Sequence, residues 1–438
     1  MRRCGAVTLV RVQVGWLGSH PMTIPCGACR IVISGIARFD QVHATTSYEF
    51  HNGKETDATD QPDYYLEVSG ELLTERLKRY EGGPYVWSPP PFFQALSFMG
   101  QDRYLEFKKR TLQFLYMCKN DWPTVRRVNE LWVSSQADFL VAEVRKFLPA
   151  DKFPMNNEAE MVRGVHQLNL LFFSPIIDQK EFDSRSLFIF DELPNIAASR
   201  AHVFIDLLLF FAGTQVAAEY EQKILGRLQA FVDIFRLLIP VFAQHFYEDP
   251  KMAEGKALTT AGFEDLKHYY ADTYEVLSEI LPLIIAFNNL KLRGDFKKMK
   301  VKRRDVTSIE DLLQKSKGDR GQFLEGDEAF DRLLHPDLDN KLRNAIAHHS
   351  YTYDVVSQEV TYFPSGVSGK GDAIVISLQG FAMRCWRAHQ RVLDVMELVY
   401  QTRKLYYVVV KRQKPVDPSV FKTHKTSRSK SKKSRPKP

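Results

Sequence analysis

The sequence predicts a mainly α-helical protein, in which a helical bundle with an inserted β-hairpin follows a mixed α+β segment. Two observations support this fold class. From about residue 198 onward, apolar residues recur at steps of three and four, which is the period of one helix face. Between residues 356 and 378 the period changes to two, which is typical of strands. We therefore expect an N-terminal α+β domain at 22–195 and a helical domain at 198–410.

The N-terminal domain, residues 22–195, combines both kinds of pattern. Residues 64–68 have a strand-like composition, and residues 187–190, which are all apolar, are a second short strand candidate. Helical patterns occur near residues 101–118 and 124–147. No fingerprint of a nucleotide-binding fold is present. The sequence therefore predicts the class of this domain but leaves its role open.

Two long helices open the helical domain. Each carries its apolar side chains on one stripe, so we expect one face of each helix to be buried. The first stripe is Ile224, Leu228, Phe231, Phe235 and Leu238, and the second is Phe263, Leu266, Tyr270, Tyr274, Leu277, Leu281, Ile284 and Phe287. A short helix near residues 308–316 and a longer one near 327–349 are expected next.

A β-hairpin and a final helix complete the helical domain. The alternating apolar positions of the hairpin are Val356, Val360 and Tyr362 before the Gly-rich segment 365–371, and Ile374, Ile376 and Leu378 after it. The final helix, of roughly 25 residues, directs Phe381, Cys385, Ala388, Val392, Val395 and Val399 inward. The predicted order is therefore helix, hairpin, long helix.

The most specific motif of the chain lies between the 327–349 helix and the hairpin. It contains Arg343, Asn344 and His348 in the order Leu-Arg-Asn-Ala-Ile-Ala-His-His. This order resembles the Arg-(four to six residues)-His motif of the HEPN superfamily, including the polar residue after the arginine. The hairpin before the last helix resembles one branch of that superfamily. The similarity covers residues 198–410. Within this range, the segment 288–295 resembles the segment that precedes the motif in that branch.

The resemblance implies a HEPN-like four-helix bundle that forms a homodimer. Two Arg/His pairs would surround a shared cleft and cleave RNA without a metal ion or other cofactor. The product would carry a 2′,3′-cyclic phosphate. The resemblance further implies a role related to toxins or to phage defence, with an antitoxin as a further candidate partner.

The residue types suit such a reaction. Attack by a ribose 2′-hydroxyl needs a group that titrates near neutrality, and His348 supplies one. The guanidinium of Arg343 can bind two oxygens of the phosphorane. Asn344 can orient the imidazole or hold a phosphate oxygen. We therefore expect Arg343, Asn344 and His348 to be the catalytic residues, with His348 preferred over His349 because of its spacing from the arginine.

Helix geometry constrains how these residues meet. On an ideal helix, His348 lies about 140° from Arg343, and His349 lies about 120° away on the other side. Neither histidine shares a face with the arginine. We therefore expect either that the helix unwinds near Ala347 or that each residue meets a partner from a second chain.

Two non-catalytic alternatives remain open. An arginine and a histidine near a helix end can be purely structural, because the C-terminal dipole favours cations. The domain would then be a structural or protein-interaction bundle. The other alternative is an RNA- or nucleotide-binding module without turnover.

Basic residues are concentrated in two places. One is a candidate nucleic-acid-binding segment that contains Lys298, Lys300, Lys302, Arg303 and Arg304; its alternative role is a solvated loop. The other is the tail at 411–438, which has a net charge of +10 and leaves −3 for residues 1–410. This tail has little to bury and is expected to be disordered. It would raise non-specific nucleic-acid affinity or serve as a solubilising extension.

The five cysteines are too few and too scattered for a disulfide framework, so a reducing, cytoplasmic setting is expected. No signal peptide or membrane-spanning segment is recognised. Met22 is an alternative start of the chain.

Cys26 and Cys29 have the spacing of half a zinc site or of a redox pair. The residues that would complete a zinc site are Cys4, His20, His43 and His51. Because no second Cys-x-x-Cys motif exists, the preferred interpretation is two ordinary thiols without a metal.

Overall fold

The structure is a computed structural model that describes residues 4–40, 42–57, 61–82, 88–299, 305–324, 330, 333, 338–364 and 373–414. It is mainly helical, as the sequence predicts.

Short strands at the N-terminus form a β layer of two three-stranded sheets within the described residues. In chain order they are β1 (Thr8–Gln13), β2 (Ser19–Pro25), β3 (Val32–Asp40), β4 (Thr45–His51), β5 (Tyr64–Ser69) and β6 (Lys78–Arg79). Strand β5 pairs in parallel with β1 and antiparallel with β6, while β2, β3 and β4 pair antiparallel in sequence order. The strand predicted at 64–68 is confirmed as β5. Met22, the alternative start, lies inside β2.

Helices follow the β layer. They are α1 (Pro91–Asn120), α2 (Trp122–Val133), α3 (Ala137–Val144), α4 (Glu158–Phe173), α5 (Gln179–Ser199) and α6 (Ala201–Phe211). The predicted helix at 101–118 lies within α1, and the one at 124–147 is divided between α2 and α3. Ser135, with φ of 57°, lies in the break between those two helices.

The strand predicted at 187–190 is wrong, because these residues belong to the helix α5. A short apolar run has no period of its own, so it fits a strand and a buried helix equally well. Among the described residues, no single helix is long and apolar enough to cross a membrane. Glu192–Ser199 and Ala201–Phe211 meet that test only as a pair, and the two are bent by 117°.

Three long helices dominate the C-terminal half: α7 (Val216–Ala243), α8 (Phe263–Arg293) and α11 (Leu378–Leu405). All the side chains of the two predicted stripes on α7 and α8 are buried, as are the six predicted on α11. Helix α11 packs against α7, α8, α4 and α5. The amphipathic patterns therefore identified the buried faces correctly.

The helices of both predicted domains share one apolar core. Phe114 of α1 and Phe235 of α7 lie with ring centroids 4.6 Å apart, and the imidazole of His166 on α4 lies 2.6 Å from the Glu397 carboxylate on α11. The boundary predicted at 195–198 falls inside α5. We call the helices and their common core the helical body. The division into domains at 22–195 and 198–410 therefore stays a prediction.

The motif region lies between α8 and α11. It contains α9 (Ile309–Gln314), a 3-10 helix (Lys317–Phe323), α10 (Asn340–Ala347), β7 (Tyr351–Asp354), β8 (Glu359–Tyr362) and β9 (Ile374–Ser377). The hairpin is confirmed as β8 and β9, with β7 as an unpredicted third strand. Two of its predicted strand positions are wrong, because Val356 lies in the turn between β7 and β8 and Leu378 is the first residue of α11. Helix α9 confirms the one predicted near 308–316. The predicted continuous helix at 327–349 is wrong, because Leu338 and Asp339 are not helical and α10 begins at Asn340.

The beginning of the predicted tail also differs from expectation. Residues 411–414 are not separate from the fold, since the side chain of Gln413 accepts a hydrogen bond of 2.9 Å from the backbone N–H of Ala159. Residues 415–438 lie outside the described residues.

Candidate functional site

Helix α10, which carries the predicted catalytic motif, is anchored at its N-terminus by Asp339. One carboxylate oxygen of Asp339 accepts hydrogen bonds from the backbone N–H groups of Lys341 and Leu342, both at 3.0 Å. The other accepts from the Tyr362 hydroxyl at 2.9 Å and from the Arg384 guanidinium at 2.6 Å. Asp339 therefore ties α10 to strand β8 and to helix α11.

The titration of Asp339 reflects these contacts. Burial alone would raise its pKa, but the hydrogen bonds from the Leu342 backbone, Arg384 and Tyr362 outweigh burial and lower it. Asp339 is consequently a charged N-cap that stabilises both the first turn of α10 and its position on the hairpin.

Arg343 lies in the middle of α10 and is held against helix α8. Its Nε lies 3.3 Å from Glu275 Oε1, and its Nη2 donates to Asn340 Oδ1 at 3.2 Å. The guanidinium also lies over the ring of Tyr274, 5.1 Å from the centroid. Only 17% of the Arg343 side chain is exposed. The arginine therefore already has an anionic partner within its own chain.

An open pocket of about 370 Å³ adjoins Arg343. Its lining residues are Glu275, Ser316, Lys317, Gly318, Asn340, Arg343 and Asn344. A Cβ at position 318 would lie 3.0 Å from Arg343 Nη2, so a larger residue there would press against the guanidinium. The 3-10 helix lies close to α10 and forms one wall of the pocket.

Lys317 is the second cation of the pocket. Its ammonium lies 3.3 Å from Glu275 Oε2 and also pairs with Glu279. Burial would lower the pKa of Lys317, but the two carboxylates raise it above its ordinary value. A phosphate that entered the pocket would meet two cations, each with a carboxylate partner that it would have to displace.

His348 lies outside this pocket. It is the C-cap of α10, and its backbone N–H donates to Asn344 O at 2.9 Å. Its side chain is exposed, and among the described residues no hydrogen bond or ion pair engages its imidazole. His349 is also exposed and has a φ of 54°. The helix thus ends after Ala347, as one expectation required, yet the pocket of a single chain contains Arg343 and Asn344 without His348.

Several residues of the pocket were missed at the sequence level. Glu275 and Lys317 are far from the motif in sequence, and no pattern connects them to it. Asn340 follows Asp339, and this Asp-Asn pair before Leu342 is a helix-start signal that was overlooked. In the segment 288–295, Asn289 has a structural role. Its side chain accepts a hydrogen bond of 2.7 Å from Arg293 and donates one of 3.2 Å to the Phe296 carbonyl.

Most of the predicted nucleic-acid-binding segment cannot be placed relative to the pocket. Lys298 is exposed. The other members, Lys300, Lys302, Arg303 and Arg304, lie outside the described residues.

The structure brings three of the predicted metal-site candidates together. The Sγ atoms of Cys4, Cys26 and Cys29 all lie within 4.8 Å of one another. The candidate His43 instead pairs with Asp40 at 2.7 Å. Among the described residues, the group contains these three thiols and no histidine or carboxylate.

The chain was compared with protein-family models, with curated proteins and with solved structures, and none of them matches it.

Proposed function

We propose that this protein is a metal-independent endoribonuclease with a HEPN-like C-terminal domain. The observation that carries the proposal is the arrangement of α10. This helix presents Arg343 and Asn344 to an open pocket that also contains Lys317, and an exposed histidine, His348, follows its last residue.

In the proposed reaction, His348 removes the proton from a ribose 2′-hydroxyl, whose oxygen attacks the adjacent phosphorus. The P–O5′ bond breaks, and a proton returns to the leaving 5′-oxygen. Arg343 binds the phosphorane oxygens through its planar fork, while Lys317 adds a second positive charge. The products are a 2′,3′-cyclic phosphate and a 5′-hydroxyl.

The proposed site is shared between two copies of the chain. Within one chain the pocket lacks His348, so the base must come from elsewhere. A two-fold dimer through the helical domain supplies it, because the same surface of each copy then faces the other. Each pocket would take its Arg343 from one protomer and its His348 from the partner.

A second candidate function rests on the contacts of Arg343. Its ion pair with Glu275 and its place over Tyr274 are also what a structural arginine would show. A binding module without turnover, or a protein-interaction bundle, would need no exposed base. The toxin or defence role, the antitoxin and the cytoplasmic setting stay predictions.

Cleavage of a generic RNA in EDTA tests the proposal. The expected products carry 2′,3′-cyclic phosphate ends, and His348→Ala should reduce the rate by about 100-fold or more, since general acid–base catalysis contributes on that scale. His349→Asn is the matched control, because asparagine tolerates the positive φ of that position. It should retain the wild-type rate.

Mixed variants test the shared site. Neither His348→Ala nor Arg343→Gln alone should cleave, but a re-equilibrated mixture should recover about one quarter of the wild-type activity. Half of the dimers would be mixed, and each would have one intact site. No recovery would contradict the shared site. RNA binding without cleavage would favour the binding module, and no RNA interaction would favour the protein-interaction bundle.

A further inference from the structure

The three clustered thiols belong to two separate parts of the β layer. Cys4 precedes β1, whereas Cys26 and Cys29 lie in the turn between β2 and β3. Cys4 Sγ lies 3.9 Å from Cys26 Sγ. Two thiolates on one tetrahedral zinc ion, with Zn–S bonds of about 2.3 Å, lie about 3.8 Å apart. A disulfide needs about 2.05 Å. The separation therefore matches shared ligation of one ion.

The turn at Cys26–Cys29 is closed by two backbone hydrogen bonds. The Cys26 N–H donates to Ile31 O and the Arg30 N–H donates to Cys26 O, both at 2.9 Å, while Arg30 has a φ of 60°. These bonds hold Cys26 and Cys29 on one short turn, so their two sulfurs can approach the same ion.

The turn is also packed against the other sheet of the layer. A Cβ at Gly27 would lie 2.3 Å from the ring of Tyr64, which is the first residue of β5. Only a glycine allows this approach. The thiol cluster therefore lies where the β1–β5–β6 sheet meets the β2–β3 turn.

The β layer has a small apolar core of its own. This core contains five buried residues, Met22, Ile24, Ala37, Leu66 and Val68, while Leu17, Leu72 and Leu73 of the same region join the core of the helical body. A metal ion that joins two segments adds stability where apolar contacts are few.

We propose that Cys4, Cys26 and Cys29 bind one zinc ion through three thiolates and that the ion fastens the N-terminal end of β1 to the β2–β3 turn. Binding releases the three thiol protons. Cys4 and Cys29 are exposed, so the fourth coordination position faces solvent and is filled by water or a small thiol. The ion has no part in the proposed RNA chemistry, and its test does not depend on ribonuclease activity.

Metal analysis of the full-length protein, purified with zinc and dialysed against metal-free buffer, tests this proposal. About one zinc per chain is expected. Cys4→Ser and Cys29→Ser, which change exposed side chains and should fold, are each expected to weaken zinc binding by more than about 100-fold. Cys118→Ser is the matched control, since Cys118 lies on α1, outside the cluster. It should bind zinc as the wild type does.

Cobalt substitution counts the ligands. The thiolate-to-cobalt charge-transfer absorption should fall by about one third in Cys4→Ser, because one of three thiolates is lost. The proposal would be overturned by a folded wild type that contains no zinc, or by unchanged zinc affinity in Cys4→Ser. It would also be overturned if Cys118→Ser lost as much zinc binding as Cys4→Ser. A wild-type mass lower by two hydrogens, which indicates a Cys26–Cys29 disulfide, would overturn it as well.

Discussion

The buried acids of the helical body and Glu71 of the β layer have different kinds of partner. In the helical body, the Asp394 carboxylate lies 2.7 Å from Arg185 and 3.0 Å from Arg391, and Glu397 pairs with His166. In the β layer, Glu71 is equally buried, but it accepts hydrogen bonds only from the backbone N–H groups of Trp16 and Leu17 among the described contacts, at 2.6 and 2.8 Å.

The difference follows from the architecture. Several long helices meet along α11, so cationic side chains from different helices can reach one buried acid. Among the described residues, no cationic side chain forms an ion pair with Glu71. Burial consequently raises the pKa of Glu71 to about 7, and the hydrogen bonds from Leu17 and Trp16 and the charge of Lys108 offset it only in part. Glu67 of β5 is also buried but has a cationic partner, because Arg11 of β1 pairs with it. The contrast therefore belongs to Glu71, whose hydrogen-bond donors are backbone groups.

Phe235→Ala is the strongest test of the shared helical core. Phe235 is fully buried and packs on Phe114 of α1 and Trp386 of α11. Removing its ring should lower the free energy of unfolding by about 3–5 kcal/mol. Hydrogen exchange measured by mass spectrometry should show peptides of α1 and α11 losing protection together.

The matched change in the β layer is Ile24→Ala, which removes a side chain from the five-residue core. It should reduce the protection of β2 and β3 more than that of α1 and α11. If Phe235→Ala lowers the exchange protection of α11 but leaves that of α1 unchanged, the two halves of the helical body are independent. Our comparison would then be wrong.

Glu71→Gln tests the unpaired acid of the β layer. The pKa of Glu71 is about 7 in the folded protein, above its ordinary value of 4.5. The folded state therefore holds the proton more tightly, and the stability that this proton contributes is lost as the pH rises from about 4.5 to 7. Glutamine resembles the protonated acid, so the variant should be more stable than the wild type at pH 8 by about 1–3 kcal/mol.

The pH profile provides the control for this prediction. Unfolding in urea, measured from pH 4 to 8, should show the advantage of Glu71→Gln shrinking toward zero at the acidic end. Glu49→Gln, which changes an exposed acid paired with Arg38 in the same layer, should leave the profile almost unchanged. An advantage of equal size at every pH would mean that the deprotonation of Glu71 is not its source.

These contrasts also explain what the sequence could predict. The stripes on α7, α8 and α11 were recognised because a long helix repeats its buried face many times. Residues 187–190 were misassigned because four apolar residues contain no period. The pairing of Arg343 with Glu275, and the meeting of Cys4 with Cys26, depend on contacts between distant segments, and no local pattern records them. Helix geometry alone indicated that His348 does not share a face with Arg343, and the structure places His348 outside the pocket.

The smallest predicted effect concerns a contact between the β layer and the motif region. Arg30, next to Cys29 in the β layer, lies 2.8 Å from Asp354 at the end of β7. Both side chains are partly exposed, so the pair should contribute no more than about 1 kcal/mol. A double-mutant cycle with Arg30→Ala and Asp354→Ala isolates this interaction from the other contacts of each residue. Asp354 also accepts hydrogen bonds from the backbone N–H groups of Val356 and Ser357, so its single substitution should cost more stability than that of Arg30.

Coupling well above 1 kcal/mol would mean that the β layer depends on the motif region for its stability. Coupling of about 0.5 kcal/mol that disappears in high salt would show that the regions touch but are stabilised separately.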